Sequence, residues 1–172
     1  MEIKQLLILL LLAVVVSLAV NTVSPNSIPL VGNYRELSSG EGPIVPPTAE
    51  PGDPPFIDVN QARVEFDMGT AVFVDARDPE EFECGTIPGS INVPFEYLPD
   101  GDLTEYFDST FGQLEPNKAL ITFCSGEECD LSLHLARNLK ALGYGRVLIF
   151  FGGAREWEKF GFEIERSREC GE

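Results

Sequence analysis

The segment ALITFCSGEECDLSLHLARNLKALGYGRVLIFF, from Ala119 to Phe151, holds two apolar runs with a helical pattern between them. The runs ALITF and RVLIFF are continuous and of strand length, which is typical of strands buried on both faces of a parallel sheet. Leucines recur at helical spacing over Leu131–Leu142, and Gly143 follows as a residue suited to ending a helix. Strand, helix and strand in this order predict a right-handed crossover unit, and therefore an α/β fold.

Cys124 lies where the first of these strands ends and a short loop leads into the helix. Ligands of parallel α/β sheets bind outside the carboxyl ends of the strands. Backbone N–H groups at a helix start converge on one point, and together with the helix dipole they stabilise a thiolate. We therefore predict that Cys124 is an activated nucleophile, and that Gly126 allows the loop backbone to curl.

Earlier segments supply the remaining strands. We predict a short strand at Ile57–Asp58, followed by a helix that Asn60 caps. Further strands are predicted in AVFVDAR, which ends near Asp75, and at Ile91–Val93. The sequence has four cysteines and one histidine without a CxxC pair, so it does not show the standard ligand spacing of a zinc site.

Two stretches resemble the rhodanese-like domain family. FVDARDPEEFECGTIPGSINVPF, at 73–95, is similar to the first signature of the family. The matching residues there are Asp75, Arg77, Glu81, Phe82, Gly85, Ile87, Pro88, Gly89, Asn92 and Pro94. The segment 121–165 is similar to the second half of the family pattern, with a cysteine loop, a helix and a G-G-x-x-x-W-x-x-x-G motif. The matching residues of that motif are Gly152, Gly153, Trp157 and Gly161. In this order and spacing, the matches identify residues 55–169 as a rhodanese-like domain.

This resemblance implies a parallel five-stranded sheet with helices on both faces, and it implies that Cys124 is the catalytic cysteine. In the implied sulfurtransferase reaction, Cys124 takes a sulfane sulfur from a small-molecule or protein persulfide donor and passes it to a thiol or cyanide acceptor. No metal or organic cofactor is required. Backbone N–H groups of the loop hold the outer sulfur and its charge, as an oxyanion hole would. The loop residues expected to bind substrate in this way are Ser125, Gly126, Glu127, Glu128, Cys129 and Asp130.

The cysteine loop departs from the family pattern in length and charge. Ser132 lies eight residues after Cys124, two more than the usual spacing, and the loop contains no basic residue. Glu127, Glu128 and Asp130 replace the cation that would attract thiosulfate, so we favour a neutral or thiol-linked persulfide donor, or polysulfide. Two alternatives stay open, namely that the glutamates point to solvent and that Asp130 caps the helix. Related phosphatases and arsenate reductases need an arginine where Asp130 stands, which disfavours that chemistry.

Cys129 lies five residues after Cys124. Two thiols in one loop can close a disulfide in an oxidising compartment, which makes Cys129 a candidate resolving thiol. The alternative is a small buried side chain at the start of the helix. Cys84 and Cys170 are the other cysteines, and the sequence leaves their pairing open.

Other residues of the motifs are expected to serve the fold. Asp75, Arg77 and Glu81 are predicted to be structural, forming an ion pair that locks strand to helix. Trp157 is expected in the core. His134 follows the loop on the predicted helix, and we expect a surface or boundary position for it instead of a catalytic one.

The N-terminal residues 1–23 are strongly apolar and are predicted to be a transmembrane anchor or a signal peptide. Lys4 precedes the apolar run, which keeps the N-terminus inside and exports the domain. Residues 24–54 are rich in proline and are predicted to be an extended linker. The domain is thus expected outside the cytoplasm, in the periplasm or extracellular space, either anchored or released after signal cleavage.

Composition narrows the range of partners. The net charge of −16 repels phosphate backbones, so nucleic acid is not an expected partner, and it slows the approach of small dianions. Three functional hypotheses follow. The first is a sulfurtransferase that uses Cys124. The second is a thiol redox protein or sensor that cycles a Cys124–Cys129 disulfide. The third is a non-catalytic module that binds a membrane or periplasmic protein.

Overall fold

A computed structural model of the protein describes residues 3–23, 42–114 and 118–170. The chain divides into two compact units, Met1–Arg35 and Glu36–Glu172. The part of the predicted linker that precedes residue 42 lies outside the described residues.

The described residues of the first unit form the helix α1 at Ile3–Val23. Its segment Ile3–Asn21 is long and apolar enough to cross a membrane, and none of it is buried in the structure. A helix with these properties, so near the N-terminus, is a candidate membrane anchor or signal peptide.

The second unit is a four-stranded parallel sheet flanked by helices. The strands are β1 (Ala71–Asp75), β2 (Ile91–Asn92), β3 (Ala119–Phe123) and β4 (Val147–Phe150), in the order β2-β1-β3-β4. The helices are α2 (Val59–Met68), α3 (Pro79–Cys84), α4 (Thr104–Phe111), α5 (Leu131–Ala141) and α6 (Gly153–Lys159), with a 3₁₀ turn at Phe95–Tyr97. The predicted α/β fold with a parallel sheet is confirmed.

The central strand β3 is buried along its whole length, as its continuous apolar run predicts. Its side chains alternate between two cores. Leu120 belongs to the core that contains Leu133 of α5, whereas Ile121 and Phe123 belong to the core that contains Trp157 of α6. Helices therefore cover both faces of the sheet, which places the end of β3 between them.

The sheet has four strands instead of the predicted five, and the expected strand at Ile57–Asp58 is absent from the described residues. What forms there is a single parallel bridge between Phe56 and Ile149 on the free side of β4. Ile149 N–H donates to the Pro55 carbonyl and accepts, through its own carbonyl, from Ile57 N–H, both at 2.9 Å. The pairing stops because the two preceding prolines carry no N–H and because Asp58 already begins helix α2.

Two helix caps differ from the sequence prediction. Asp58, not Asn60, caps α2, since its carboxylate accepts from Gln61 N–H at 2.8 Å and Gln61 reaches back to Asp58 N–H at 3.1 Å. Asp130 stands at the cap position of α5, but its backbone is already helical and its side chain makes no cap hydrogen bond within the described residues. A helical backbone there does not direct the carboxylate at the orphan N–H groups.

Residues 42–54, predicted as part of the linker, pack on the sheet unit. Ile44 joins the core that contains α5. Arg137 of α5 donates two hydrogen bonds to the Asp53 carboxylate, from Nε at 2.7 Å and from a terminal nitrogen at 2.9 Å. It also donates to the Thr48 carbonyl. The compact domain therefore includes residues that the predicted boundary at residue 55 left out.

A buried ion pair fixes the corner after β1. Arg77 Nε donates to Asp75 Oδ1 at 2.9 Å, and the terminal nitrogen that meets Asp75 Oδ2 also donates to the Gly85 carbonyl at 2.7 Å. Thr86 Oγ1 donates to the same carboxylate at 2.8 Å. Asn92 Nδ2 donates to the backbone carbonyls of Asp75 and Arg77. These contacts tie β1, α3 and β2 together.

Glu81, the third residue of the predicted set, lies in the first turn of α3, where its backbone N–H donates to Asp78.

The start of α6 approaches the end of β3 so closely that only glycine fits there. Gly153 has φ +62°, and a Cβ on it would lie 2.2 Å from the Cys124 carbonyl oxygen and 3.0 Å from Gly126 N. Gly126 itself does not have a positive φ. The close approach of α6 to the cysteine loop therefore requires glycine at position 153, whereas no positive φ requires glycine at position 126.

We predict that Arg77→Met destabilises the domain by about 3–5 kcal/mol, because it leaves the Asp75 carboxylate buried without its cation. Urea unfolding at pH 7 measures the loss. The matched control is Arg146→Met, which removes a half-exposed partner of Glu65 and should cost no more than about 1 kcal/mol. Equal losses of unfolding free energy in the two variants would mean that the buried Asp75–Arg77 pair contributes no more than an exposed ion pair.

We predict that Asp53→Asn costs about 1 kcal/mol at pH 7 and less at pH 3. The hydrogen bond from Arg137 holds the pKa of Asp53 below its usual value, so its contribution is present above the pKa of the unfolded chain and is lost as pH falls. Unfolding free energies at both pH values test this. Asp67→Asn, on an exposed pair with Arg63, is the control. A loss that is independent of pH would rule out the charge as its cause.

We predict that Gly153→Ala costs about 2–3 kcal/mol, because alanine resists a positive φ and its Cβ would displace the Cys124 carbonyl. At Gly126 the nearest atom to an added Cβ is 3.5 Å away, so Gly126→Ala should cost less than about 1 kcal/mol. Thermal unfolding of the two variants compares them. A larger loss of stability for Gly126→Ala than for Gly153→Ala would show that the requirement for glycine lies in the loop instead of at the start of α6.

Candidate active site

Cys124 lies at the carboxyl end of β3 and is only 1% exposed. Its strand is flanked by β1 and β4, so the thiol stands at the middle of the sheet edge where parallel α/β folds bind ligands. Ser125–Asp130 then form the loop that leads into α5 at Leu131. Cys124 Sγ lies 3.8 Å from Ser125 Oγ. This position agrees with the one predicted for the nucleophile.

Cys124 is joined to Cys129 by a disulfide, with their Cα atoms 6.2 Å apart. Cys129 N–H donates to the Gly126 carbonyl at 3.0 Å, which turns the loop back on itself. A second disulfide joins Cys84, the last residue of α3, to Cys170 in the C-terminal segment. No cysteine of the described residues is free. Cys129 therefore has the reach that a resolving thiol needs.

The carboxylates of the loop face different surroundings. Both oxygens of Glu127 are buried and have no hydrogen-bond partner within the described residues. Glu128 is exposed, and Asp130 is partly buried. The alternative that the glutamates point to solvent thus fits Glu128 but not Glu127.

Helix α6 forms the second wall of the site. Ala154 N–H donates to the Cys124 carbonyl at 2.9 Å, and Arg155 N–H donates to the Ser125 carbonyl at 3.1 Å. The Arg155 side chain lies across Gly126, with Cβ and Cδ within 3.8 Å of where a Cβ on that glycine would be. A cation therefore borders a loop that has none of its own.

Sequence reasoning missed Arg155 because it examined only the residues that directly follow Cys124. The one available signal was its place directly after Gly152, Gly153 and Ala154, in the motif that matched the family pattern. Within the described residues, the guanidinium of Arg155 makes no ion pair.

Residues farther from the thiol serve packing. The exposed ring of His134 stacks on Phe95 with centroids 5.6 Å apart. Trp157 is fully buried, and its Nε1 donates to the Glu163 carbonyl at 3.0 Å. Ser132, at the start of α5, is buried with no hydrogen-bond partner for its hydroxyl within the described residues.

Across all the residues that the structure describes, no group of three or more His, Cys, Asp or Glu side chains is placed to hold a metal ion.

This architecture has relatives among known proteins. The sequence model of the rhodanese-like domain family matches residues 58–160. Thiosulfate:glutathione sulfurtransferase from Homo sapiens is 30% identical over 109 residues, which cover 60% of this chain and 92% of that protein. The HTH-type transcriptional regulator Rv0324 of Mycobacterium tuberculosis is 26% identical over 105 residues, which cover 61% of this chain and 42% of the regulator. This chain thus spans less than half of that relative.

Solved structures agree on the fold. Thiosulfate sulfurtransferase from Pseudomonas aeruginosa superposes with a TM-score of 0.55 at 23% identity, over 67% of this chain and 21% of that one. A likeness at that identity bears on architecture alone. The family match, by contrast, includes the strand that ends at Cys124 and the loop and helix that follow it. The chain therefore belongs to the rhodanese-like domain family.

Proposed function

We propose that the domain is a sulfurtransferase in which Cys124 carries a sulfane sulfur as a persulfide. The observation that carries the proposal is the position of Cys124, buried at the carboxyl end of β3 in a loop that backbone hydrogen bonds from α6 hold in place. The sulfurtransferase relative supports the same reaction class. Chemistry begins from the reduced loop, because a disulfide sulfur is not a nucleophile.

The first half-reaction transfers sulfur to the protein. The Cys124 thiolate attacks the outer sulfur of a persulfide R–S–SH, the S–S bond of the donor breaks, and R–S⁻ leaves. In the second half-reaction, an acceptor thiolate attacks the outer sulfur of the Cys124 persulfide. The new S–S bond forms on the acceptor, and the Cys124 thiolate is regenerated. N–H groups of Ser125–Asp130 hold the negative charge of the outer sulfur between the two steps.

The disulfide between Cys124 and Cys129 favours a second candidate, a thiol redox cycle. Here the Cys129 thiolate attacks the inner sulfur of the persulfide, the Cys124–Cys129 bond forms, and HS⁻ leaves. The disulfide is then reduced by an external dithiol, which supplies two electrons. The two candidates share the Cys124 persulfide and differ in whether an acceptor or Cys129 takes the next step.

We also propose that the domain works outside the cytoplasm. Lys4 precedes the apolar helix α1, which favours an N-terminus that stays inside. The two disulfides of the sheet unit support an oxidising compartment. In such a compartment, the Cys124–Cys129 disulfide must be reduced by an external dithiol before sulfur transfer begins.

We predict that polysulfide adds one sulfur atom to Cys124 of the reduced full chain in detergent micelles, and that cyanide removes it. Intact mass with peptide mapping locates the adduct. Cys129→Ser should hold the persulfide longer, because the internal attack is lost, whereas Cys124→Ser should gain no sulfur at the loop.

Two results would decide against sulfur transfer. No adduct on Cys124 would overturn it outright. Closure of the wild-type disulfide with release of sulfide, faster than any added thiol accepts sulfur, would establish the redox cycle as the activity.

A further inference from the structure

The two cysteines of the Cys124–Cys129 disulfide are unequally accessible to solvent. Cys124 is only 1% exposed, whereas Cys129 is partly exposed. A thiolate breaks a disulfide by attacking one of its sulfurs in line with the bond, so it needs open space behind the sulfur that it attacks. The difference in burial therefore leaves Cys129 as the accessible end of the bond.

The two cysteines also differ in what holds them. The Cys124 carbonyl accepts from Ala154 N–H of α6 at 2.9 Å, and the strand that it follows, β3, is paired with β1 and β4. Cys129 N–H donates at 3.0 Å to the Gly126 carbonyl, which is a contact within the loop. A partner can therefore reach Cys129 without displacing the sheet or α6.

The leaving group also favours attack at Cys129. When Cys129 is attacked, the sulfur that leaves is that of Cys124, at the carboxyl end of β3 and before the 11-residue helix α5. Backbone N–H groups at a helix start stabilise a thiolate, and a stabilised thiolate leaves a disulfide faster. Attack at Cys129 thus combines the accessible sulfur with a stabilised leaving group.

The loop that carries the accessible sulfur is mostly negative. Glu128 is exposed, Asp130 is partly buried, and both oxygens of Glu127 are buried without a hydrogen-bond partner within the described residues. The side chain of Arg155 borders the loop from α6. Because the three carboxylates outnumber this guanidinium, the loop repels an approaching anion and attracts a cation. A reductant with positive charge around its thiol is therefore favoured.

We propose that Cys129 is the point of attack for a reducing partner, a dithiol protein whose reactive thiol is bordered by positive charge. The inference rests on the proposed function, because it supplies the Cys124 thiolate with which sulfur transfer begins. The partner thiolate attacks the sulfur of Cys129, a mixed disulfide forms there, and Cys124 leaves as a thiolate. The second thiolate of the partner attacks the partner's own sulfur in the mixed disulfide, and Cys129 leaves as a thiolate that takes up a proton. Two electrons thus pass from the partner to the loop.

The first test locates the initial attack. The oxidised full chain in detergent micelles is mixed briefly with the monothiol cysteamine, and the reaction is stopped with acid and N-ethylmaleimide. Peptide mapping reports which cysteine carries cysteamine and which carries the maleimide. A cyclic peptide of residues 123–130 with the same disulfide is the reference, because both of its sulfurs are open to solvent.

At the shortest times, the protein should carry cysteamine on Cys129 and maleimide on Cys124, in about tenfold excess over the reverse arrangement, because Cys124 is buried. The peptide should carry cysteamine on both cysteines in comparable amounts. Half or more of the cysteamine on Cys124 of the protein would overturn the inference. So would the absence of attack at either cysteine of the loop.

The second test varies the charge of the thiol. Cysteamine, 2-mercaptoethanol and 2-mercaptoethanesulfonate are positive, neutral and negative, and the rate of each is expressed relative to its rate with an uncharged linear disulfide. At low ionic strength these relative rates should fall in that order, and Glu128→Gln should raise that of the anionic thiol about twofold. Glu105→Gln, which removes an exposed carboxylate from α4, is the control and should change none of them. Equal relative rates for the three thiols, or equal effects of the two substitutions, would overturn the positive charge of the partner.

Prior chemical reduction separates failure of this inference from failure of the proposed function. A chain reduced with a phosphine, and then freed of it, does not depend on attack by a thiol. If this chain takes sulfur from polysulfide onto Cys124 but cysteamine attacks Cys124 first, the point of attack is overturned alone. If cysteamine attacks Cys129 first but the reduced chain gains no sulfur that cyanide can remove, sulfur transfer is overturned and the point of attack stands.

Discussion

The buried ion pair of Asp75 and Arg77 is the interaction on which the geometry of the sheet edge depends. A carboxylate and a guanidinium at this depth are stable only because Gly85 and Thr86 occupy their remaining hydrogen-bonding positions. The corner extends to the reactive strand, since Ala76 N–H donates at 2.9 Å to the carbonyl of Phe123, the residue before Cys124. Asp75 and Arg77, from the first motif, and Cys124, from the second, therefore lie at the same edge of the sheet.

Local pattern was sufficient to predict the central elements of the fold. The two apolar runs form β3 and β4, and the leucine repeat forms α5. These elements are predictable because burial and helical periodicity both show in residues that are close in sequence. What the pattern missed depends on contacts between distant segments. The would-be fifth strand ended at Phe56 because prolines precede it and a helix cap follows. Likewise, Gly153 and Arg155 matter to the cysteine loop only because α6 packs against it. The assignment of roles to individual loop residues stays a prediction.

Charge acts at two ranges in this protein. The net charge of −16 repels a dianion at long range, and salt screens that repulsion beyond about 8 Å. Arg155 acts at contact distance, beside a loop that carries Glu127. The long-range repulsion and the cation beside the loop therefore act in opposite directions on an approaching anion.

The two disulfides differ in how far apart their cysteines lie along the chain, at sequence separations of 5 and 86. Four cysteines allow three pairings. The entropy of closing a loop rises with its length, so Cys124 and Cys129 find each other in the unfolded chain far sooner than Cys84 finds Cys170. Early closure of the short loop removes both of its thiols from mispairing, and only one partner then remains for each distant cysteine. Closure of the short loop thus leaves a single pairing for the disulfide that fastens the C-terminal segment to α3.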